Sequence, residues 1–491
     1  MTQAELTTAP AGLLIDGERI SAHRGEHFTT FDPATGEALR EVARARQADV
    51  SAAVASARRA YAETWRRTPP VERSRALARM SRLLLDRLED LAALESRDTG
   101  KPLGQARVDV RVAARYFEYY AGLADKLDGR SIPLGPAYVD WTVLEPHGVC
   151  GIIIPWNYPL QIGARSIAPA LGAGNSVVLK PAEDAPLSAL AMAELLLDAG
   201  LPAGVCNATP GYGHEAGAAL VAHPDVDHIS FTGSVDVGSE VMAECAKHIR
   251  PVTLELGGKS PHVVFADADL DRSLPYIMNS IYQHAGQTCT AGSRLLIERS
   301  AHERWVDAVT TYSETLTIGP GLQDPDVGAL ISRDHLERVE HHVAVAREQG
   351  ATIASGGDRP DDPRLSGGAF LEPTVITDVS PQMRIAQEEV FGPVLAVLAF
   401  EDGDLEEAAH LANRTPYGLA AGVWSSNIDT CLRLASEIRA GQVYINTFGA
   451  GGGVELPSGG FGKSGIGREK GLEGILAYTN VKNVCIEVNP T

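Results

Sequence analysis

Val149-Cys150-Gly151-Ile152-Ile153-Ile154-Pro155-Trp156-Asn157 is the stretch whose reading decides the fold. Its first six residues carry no charge and are mostly β-branched, as in a strand buried on both faces. The proline, indole and amide that follow end the strand in a polar turn. Downstream, similar short runs recur at Ser176–Leu179, Val205–Ala208, His228–Phe231 and Val252–Leu256. Helix-like segments separate them, such as Leu187–Ala199, which is entered through Pro186 and stopped by Gly200 and Pro202. Strands alternating with helices in this way predict βαβ units around a parallel sheet. Each strand ends in a turn-rich cluster: Pro155-Trp156-Asn157, Lys180-Pro181-Ala182-Glu183, Pro210-Gly211-Tyr212-Gly213, Thr232-Gly233-Ser234 and Gly257-Gly258. Ligands of open α/β sheets sit at the carboxyl ends of strands, so these clusters describe one site.

Upstream, helices are expected over Asp49–Arg67 and Val71–Ser96, the second carrying a stripe of Leu77, Met80, Leu84, Leu88 and Leu91. Core packing accounts for that stripe. After Pro261 a second alternating region runs to about Asn446, with apolar runs at His262–Phe265, Arg294–Ile297 and Val394–Phe400. A glycine-rich stretch, Gly449 to Gly474, precedes a last strand expected within Ala477–Val488. Lying outside any βαβ unit, that strand has edges suited to pairing at a subunit interface.

Composition narrows the function classes. The 491 residues carry 63 acidic and 43 basic side chains, a formal net charge of −20, which opposes binding to a phosphate backbone. Neither nucleic acid nor a membrane is an expected partner, since no apolar run approaches the ~20 residues of a spanning helix. Met1 to Pro10 is polar and small, unlike a secretory signal. Six scattered cysteines form no CxxC pair, which disfavours a disulfide framework or zinc ribbon and fits a reducing cytoplasm.

Several motifs are decoys. Gly258-Lys259-Ser260 and Gly462-Lys463-Ser464 end like a phosphate-binding loop, but the glycine required five positions earlier is Thr253 in one and Pro457 in the other. His335, Glu337, Glu340, His341 and His342 match no metal-ligand pattern and read as a solvated helix face, so no metal is expected. Gly211 to Gly217 is a GxGxxxG run, one residue too long for a dinucleotide fingerprint. Phe231-Thr232-Gly233-Ser234 is better placed, ending a strand where a helix opens, and free N–H groups there suit a phosphate as well as an ordinary cap.

Cys289 lies in Gly286-Gln287-Thr288-Cys289-Thr290. A cysteine that attacks a carbonyl needs an oxyanion donor, which Asn157 can supply, and a base, which Glu255 can supply. Each residue alone has a structural explanation; the combination carries the reading.

These motifs closely resemble those of the aldehyde dehydrogenases along essentially the whole chain. The segments that carry the resemblance are Pro155-Trp156-Asn157-Tyr158-Pro159, Lys180-Pro181-Ala182-Glu183, Phe231-Thr232-Gly233-Ser234 and Glu255-Leu256-Gly257-Gly258-Lys259. They continue with Gly286-Gln287-Thr288-Cys289, Glu388-Glu389-Val390-Phe391-Gly392-Pro393 and Ser464-Gly465-Ile466-Gly467-Arg468-Glu469. The resemblance implies an α/β chain with a Rossmann-type cofactor domain (1–122 and 142–254), an α/β catalytic domain (255–448) and small β oligomerisation segments (123–141 and 449–491). The last would combine a hairpin near Leu123–Trp141 with the terminal strand and make a homodimer or homotetramer.

It also implies roles. Cys289 attacks an aldehyde, Asn157 and the Cys289 N–H hold the oxyanion, and Glu255 activates the water that hydrolyses the thioester. Cofactor contacts fall on Pro155, Trp156, Lys180, Glu183, Gly213, Gly233, Ser234, Leu256, Glu389 and Phe391. Glu183 near the ribose favours NAD over NADP.

Three features depart from the family pattern. The usual phenylalanine after Pro457 is Ser458, the often aromatic segment before it reads Gly449-Ala450-Gly451-Gly452-Gly453, and Arg165 replaces a frequent aromatic residue. The expected substrate is therefore a bulky, aromatic or polar aldehyde, with Arg165 and Ser458 as its contacts, although Arg165 equally suits a structural ion pair. Two other readings are a coenzyme A-acylating relative, against which Glu255 argues, and a catalytically silent protein of the same fold, against which Cys289 and Glu255 both argue.

Overall fold

The computed structural model describes residues 11–449 and 453–488. Met1 to Pro10 and three residues of the glycine-rich run, Ala450 to Gly452, lie outside the described residues, so the readings made of them are not addressed below.

The run Val149–Ile154 is a strand, buried at every position, at the centre of an eight-stranded sheet. Its neighbours in parallel are Ser176–Pro181 on one side and His228–Thr232 on the other, with Cys206–Ala208 and Val252–Glu255 beyond them. The spatial order reverses between Val149–Ile154 and His228–Thr232, which makes the crevice beyond those two strand ends the switch point of a doubly wound fold. Leu13–Ile15 and Gly465–Ile466 close the parallel block antiparallel at its two sides.

A second sheet of seven strands is built on Pro261–Val264 and Arg294–Glu298, which pair in parallel. Val394–Phe400 lies beside Arg294–Glu298, and Ala420–Trp424 beside Pro261–Val264. Each sheet has its own core, one gathering Ile152, Leu179 and Phe117, the other Val263, Leu296, Trp305 and Trp424. The chain crosses from one sheet to the other in five residues, Leu256 to Ser260, so Glu255 stands at the crossing.

Several expected elements shifted; the helix expected over Asp49–Arg67 ends at Glu63 and is followed by a short turn of helix, Trp65–Arg67. Ser176–Leu179 extends to Pro181, so Lys180 belongs to the strand rather than to the turn after it, and its side chain is buried. The single helix expected over Val71–Ser96 is two, Pro70–Asp86 and Leu88–Thr99, broken at Arg87 with φ −108 and ψ 19. The break leaves Leu88 only half-buried while Leu77, Met80, Leu84 and Leu91 reach one core. No glycine or proline announces it. The terminal strand is Thr479–Glu487, paired antiparallel over its full length with Tyr138–Pro146. A hairpin leads into that partner, Ile132 N donating to Asp140 O and Thr142 N to Arg130 O. Among the described residues, no helix is long and apolar enough to cross a membrane.

Candidate active site

The helix Leu270–Tyr282, capped by Asp269, ends in the loop that carries Cys289. Three consecutive residues of that loop, His284, Ala285 and Gly286, have φ of 48, 52 and 74. Left-handed backbone disfavours side chains, and such strain persists where the surroundings over-determine it. At Gly286 an added Cβ would come within 2.0 Å of the Gly392 carbonyl oxygen. Gln287 fixes the next step: its Nε2 donates to His284 O at 3.1 Å and its Oε1 accepts from Ile331 N at 2.9 Å. Thr288 shares a 2.7 Å hydrogen bond with the Tyr158 hydroxyl. Opposite, Gly258 approaches so closely that a Cβ would stand 2.4 Å from the Cys289 carbonyl oxygen.

Cys289 and Glu255 line one cavity of about 320 Å³, with Arg165, Ser458, Lys470 and Gly449 also on its walls. Tyr276, Tyr444 and Phe448 add aromatic surface. Glu255 is buried and its Oε1 has no hydrogen-bond partner. Burial pushes its carboxyl up to about 7, against the pull of Arg165. The half-buried Cys289 thiol is pushed up to about 11 by burial, with Arg165 pulling the other way. The cavity therefore holds a thiol that is neutral at rest and a carboxyl poised to exchange a proton near neutrality.

Asn157 is buried in the turn between Val149–Ile154 and the helix Pro159–Ala173. Its Nδ2 donates to Gln287 O at 2.8 Å, two residues before Cys289, and its Oδ1 has no partner. An amide nitrogen carries two hydrogens, so one remains after that bond. Asn157 itself is not among the side chains lining the cavity.

Arg165 does not extend freely toward a substrate. Its Nε pairs with Glu469 Oε2, and its Nη2 donates to Thr232 Oγ1 at 2.8 Å. Glu469 is held in turn by Ser230 Oγ at 2.8 Å and Ser166 Oγ at 3.0 Å. Ser458 is buried and exchanges two backbone hydrogen bonds of 2.7 Å with Glu469. The two residues expected at the substrate thus converge on a third, Glu469.

At the end of Ser176–Pro181, Lys180 Nζ donates to Glu183 Oε2 at 2.7 Å, and Gly213 N donates to Glu183 Oε1 at 3.1 Å. Burial raises the Glu183 carboxyl, but Lys180 and the Gly213 N–H outweigh it and hold the group below the usual range. An apolar cavity of about 440 Å³ opens beside them, walled by Gly213, Gly217, Val221, Phe231, Val237 and Val241. Such a slot next to a fixed carboxylate fits an adenine and its ribose. Ser234 caps the helix Val235–Lys247 by accepting from Val237 N at 3.4 Å. Gly233 precedes it, and the Leu256 side chain packs so near Gly238 that a Cβ there would meet Leu256 Cδ2 at 2.4 Å.

Pro155 and Trp156 are half-buried at the central strand's end. The Trp156 ring lies edge-to-face with Phe391, centroids 5.4 Å apart, and with His335 at 5.6 Å. Glu389 Oε1 accepts from Gly258 N at 2.8 Å, and burial pushes its carboxyl up to about 7. Phe391 has φ 60, and its carbonyl oxygen lies 2.7 Å from His335 Nε2. His335 is therefore no part of a solvated face: its ring is buried under Trp156. Among the described residues no cluster of metal-ligating side chains is present.

Sequence reading missed Lys470 as well as His335. Nothing in Glu469-Lys470-Gly471 shows that Lys470 turns into the cavity, because its direction follows from a backbone of φ 61 and ψ 174 that side chains rarely adopt.

A doubly wound sheet with a nucleotide-sized slot, in one chain with a cavity holding a cysteine and a carboxylate, defines a two-site oxidoreductase architecture. The chain belongs to the aldehyde dehydrogenase family, whose model matches residues 20–484. The fold is that of aldehyde dehydrogenases: the structure of the Bacillus cereus enzyme in complex with NAD+ is 40% identical, superposes with a TM-score of 0.96, and covers 100% of this chain and 99% of its own. A Staphylococcus aureus betaine aldehyde dehydrogenase point mutant, also in complex with NAD+, is 38% identical with a TM-score of 0.95 and 99% of each chain covered. Betaine aldehyde dehydrogenase of Bacillus subtilis is 42% identical over 482 residues, 97% of this chain and 98% of that protein.

Proposed function

We propose that this chain oxidises an aldehyde to its carboxylic acid with NAD, through a covalent bond at Cys289. The observation that carries the reading is the shared cavity of Cys289 and Glu255, with Glu255 Oε1 buried and without a partner. Lys180, Glu183, Gly213 and Ser234 are the residues that would hold the adenosine and pyrophosphate, with Trp156, Leu256, Glu389 and Phe391 lining the way to the cysteine. Bound NAD supplies the acceptor for the hydride that leaves the aldehyde carbon.

The protein's own residues do the rest. The Cys289 thiol passes its proton to solvent as Sγ bonds the carbonyl carbon, and the oxygen gains negative charge. The second Asn157 amide hydrogen and the Cys289 N–H are the donors for that oxygen; one such donor is worth roughly 3–4 kcal/mol in other enzymes. Loss of hydride from the thiohemiacetal leaves a thioester on Cys289. Glu255 then takes a proton from water, the hydroxyl adds to the acyl carbon, and the acid leaves with the thiol restored. A carboxyl near 7 suits that task, since it is largely ionised just above neutrality and still basic.

Glu255 favours hydrolysis over transfer to coenzyme A. The substrate reading is a bulky, aromatic or polar aldehyde, supported by the aromatic surface of Tyr276, Tyr444 and Phe448 and by the absence of rings at Arg165 and Ser458. Assays of NADH formation across alkanal, benzaldehyde-type and semialdehyde substrates, with and without coenzyme A, test the whole. A strict requirement for coenzyme A, or no NADH with any aldehyde, would contradict it.

A homo-oligomer is part of the same reading. The two-stranded sheet of Tyr138–Pro146 and Thr479–Glu487 exposes Val139 and Ile486 on one face and Tyr138 and Val481 on the other, apolar surface suited to a second copy of the chain.

A further inference from the structure

We propose that Tyr158 is a positioning residue for the nucleophile: its hydroxyl, through Thr288, holds the Cys289 loop where Sγ meets a carbonyl carbon. The inference rests on the reading of Cys289 as the nucleophile and extends it to a residue that acts through a neighbour.

Asn157 and Tyr158 are the last two residues before the helix Pro159–Ala173. They grip the two residues before the nucleophile: Asn157 Nδ2 donates to Gln287 O at 2.8 Å, and the Tyr158 hydroxyl shares a 2.7 Å hydrogen bond with Thr288 Oγ1. The first bond holds backbone. The second fixes the Thr288 side chain, and with it the residue from which Cys289 continues. Thr288 O also accepts from Ala291 N at 2.9 Å, so the turn that carries Cys289 starts at the gripped residue. Tyr158, Thr288 and Cys289 line the same cavity.

The Tyr158 ring is itself held. The Lys101 ammonium lies 4.1 Å from its centroid, and the His284 ring meets it edge-to-face with centroids 5.4 Å apart. Lys101 is buried and anchored by Asp109 Oδ2 at 2.5 Å and Glu95 Oε1 at 3.3 Å, so the cation stays against the ring. Burial pushes the phenol well above its ordinary range, so the hydroxyl keeps its proton at working pH and can always bond Thr288. The ring contacts do not need the hydroxyl. Its bond to Thr288 is a separate constraint, and it bears on the sulfur: attack needs Sγ and the carbon about 3–3.5 Å apart and aligned, and a misplacement of about 1 Å can cost about 10²-fold.

The test follows acylation of the full chain by p-nitrophenyl acetate without cofactor. Cys289 Sγ bonds the acetyl carbon, p-nitrophenolate leaves, the thiol proton passes to solvent, and the burst of p-nitrophenolate gives the rate. Tyr158→Phe and Thr288→Val should each lower the saturating acylation rate about tenfold, with the half-saturating ester concentration unchanged. The double variant should be no slower than the slower single one, because both remove the same bond. Thr288→Ser keeps the hydroxyl and should stay close to the wild-type rate, which separates positioning from a general loss of stability. Additive losses in the double variant, a change in half-saturation alone, or a wild-type rate in Tyr158→Phe would overturn the proposal. If Cys289 is acylated in this Tyr158-dependent way but no aldehyde is oxidised, the redox reading fails and the positioning stands. If NADH forms from aldehydes while acylation ignores Tyr158→Phe, the positioning alone is refuted.

Discussion

The Arg165 guanidinium closes on the Glu469 carboxylate, Nε to Oε2, in a buried pair that joins the helix after the Asn157 turn to the segment carrying Lys470. Its remaining bonds, to Thr232 from the arginine and from Ser166 and Ser230 to the carboxylate, leave neither group facing solvent alone. Removing one partner strands the other, at a cost of about 3–5 kcal/mol. Arg165→Met and Glu469→Gln should each lower the chemical denaturation midpoint markedly, and the double variant should lose less than the two together. Activity on alkanals and aromatic aldehydes should fall in similar proportion for Arg165→Met. A loss confined to one substrate class would return Arg165 to direct substrate contact.

Asn157 is anchored to Gln287 O by one amide hydrogen. Asn157→Ala should lower kcat about 10²- to 10³-fold with little change in NAD affinity, as for other oxyanion donors. Steady-state kinetics with cofactor titration measure both. A loss of NAD affinity in place of kcat would assign Asn157 to the cofactor crevice.

Glu255 should govern the pH profile. Its carboxyl is pushed up to about 7, so it is protonated and unable to accept a proton below that pH and becomes a base above it. Where hydrolysis limits turnover, kcat should rise through about pH 7 and then level. Glu255→Gln should abolish the limb and slow turnover while leaving the first burst of NADH intact. A profile unchanged by the substitution would dismiss Glu255 as the base.

Glu183, tied to Lys180 and Gly213 N, is the carboxylate proposed to stand where a ribose 2′-phosphate would fall. Glu183→Gln should improve kcat/KM for NADP about tenfold or more while weakening NAD, compared directly with both cofactors. Equal use of both cofactors by the unaltered chain would remove this role.

Much of this was legible in one dimension. Val149–Ile154 and Val394–Phe400 matched their strands residue for residue, because uncharged, almost wholly buried runs of this length have few alternatives. Asn157 and Glu255 were singled out because motif and strand end coincided, and Cys289 by its motif in the loop after Leu270–Tyr282. The interior of the site was less legible. Arg165 offered two readings, and only the distant Glu469 decides its geometry. Lys470 and His335 were missed since their direction depends on left-handed backbone at Lys470 and Phe391 and on packing against Trp156. The helix break at Arg87 likewise serves tertiary packing and leaves no local mark.

The central claim is a covalent acyl group on Cys289, and it is tested most directly in the Glu255→Gln variant, where hydrolysis should stall. Mixing that variant with NAD and an aldehyde, quenching in acid and digesting should give a Cys289 peptide heavier by the acyl group, in an amount matching the NADH burst. Sustained turnover with no adduct on Cys289, or full activity in Cys289→Ala, would contradict the account.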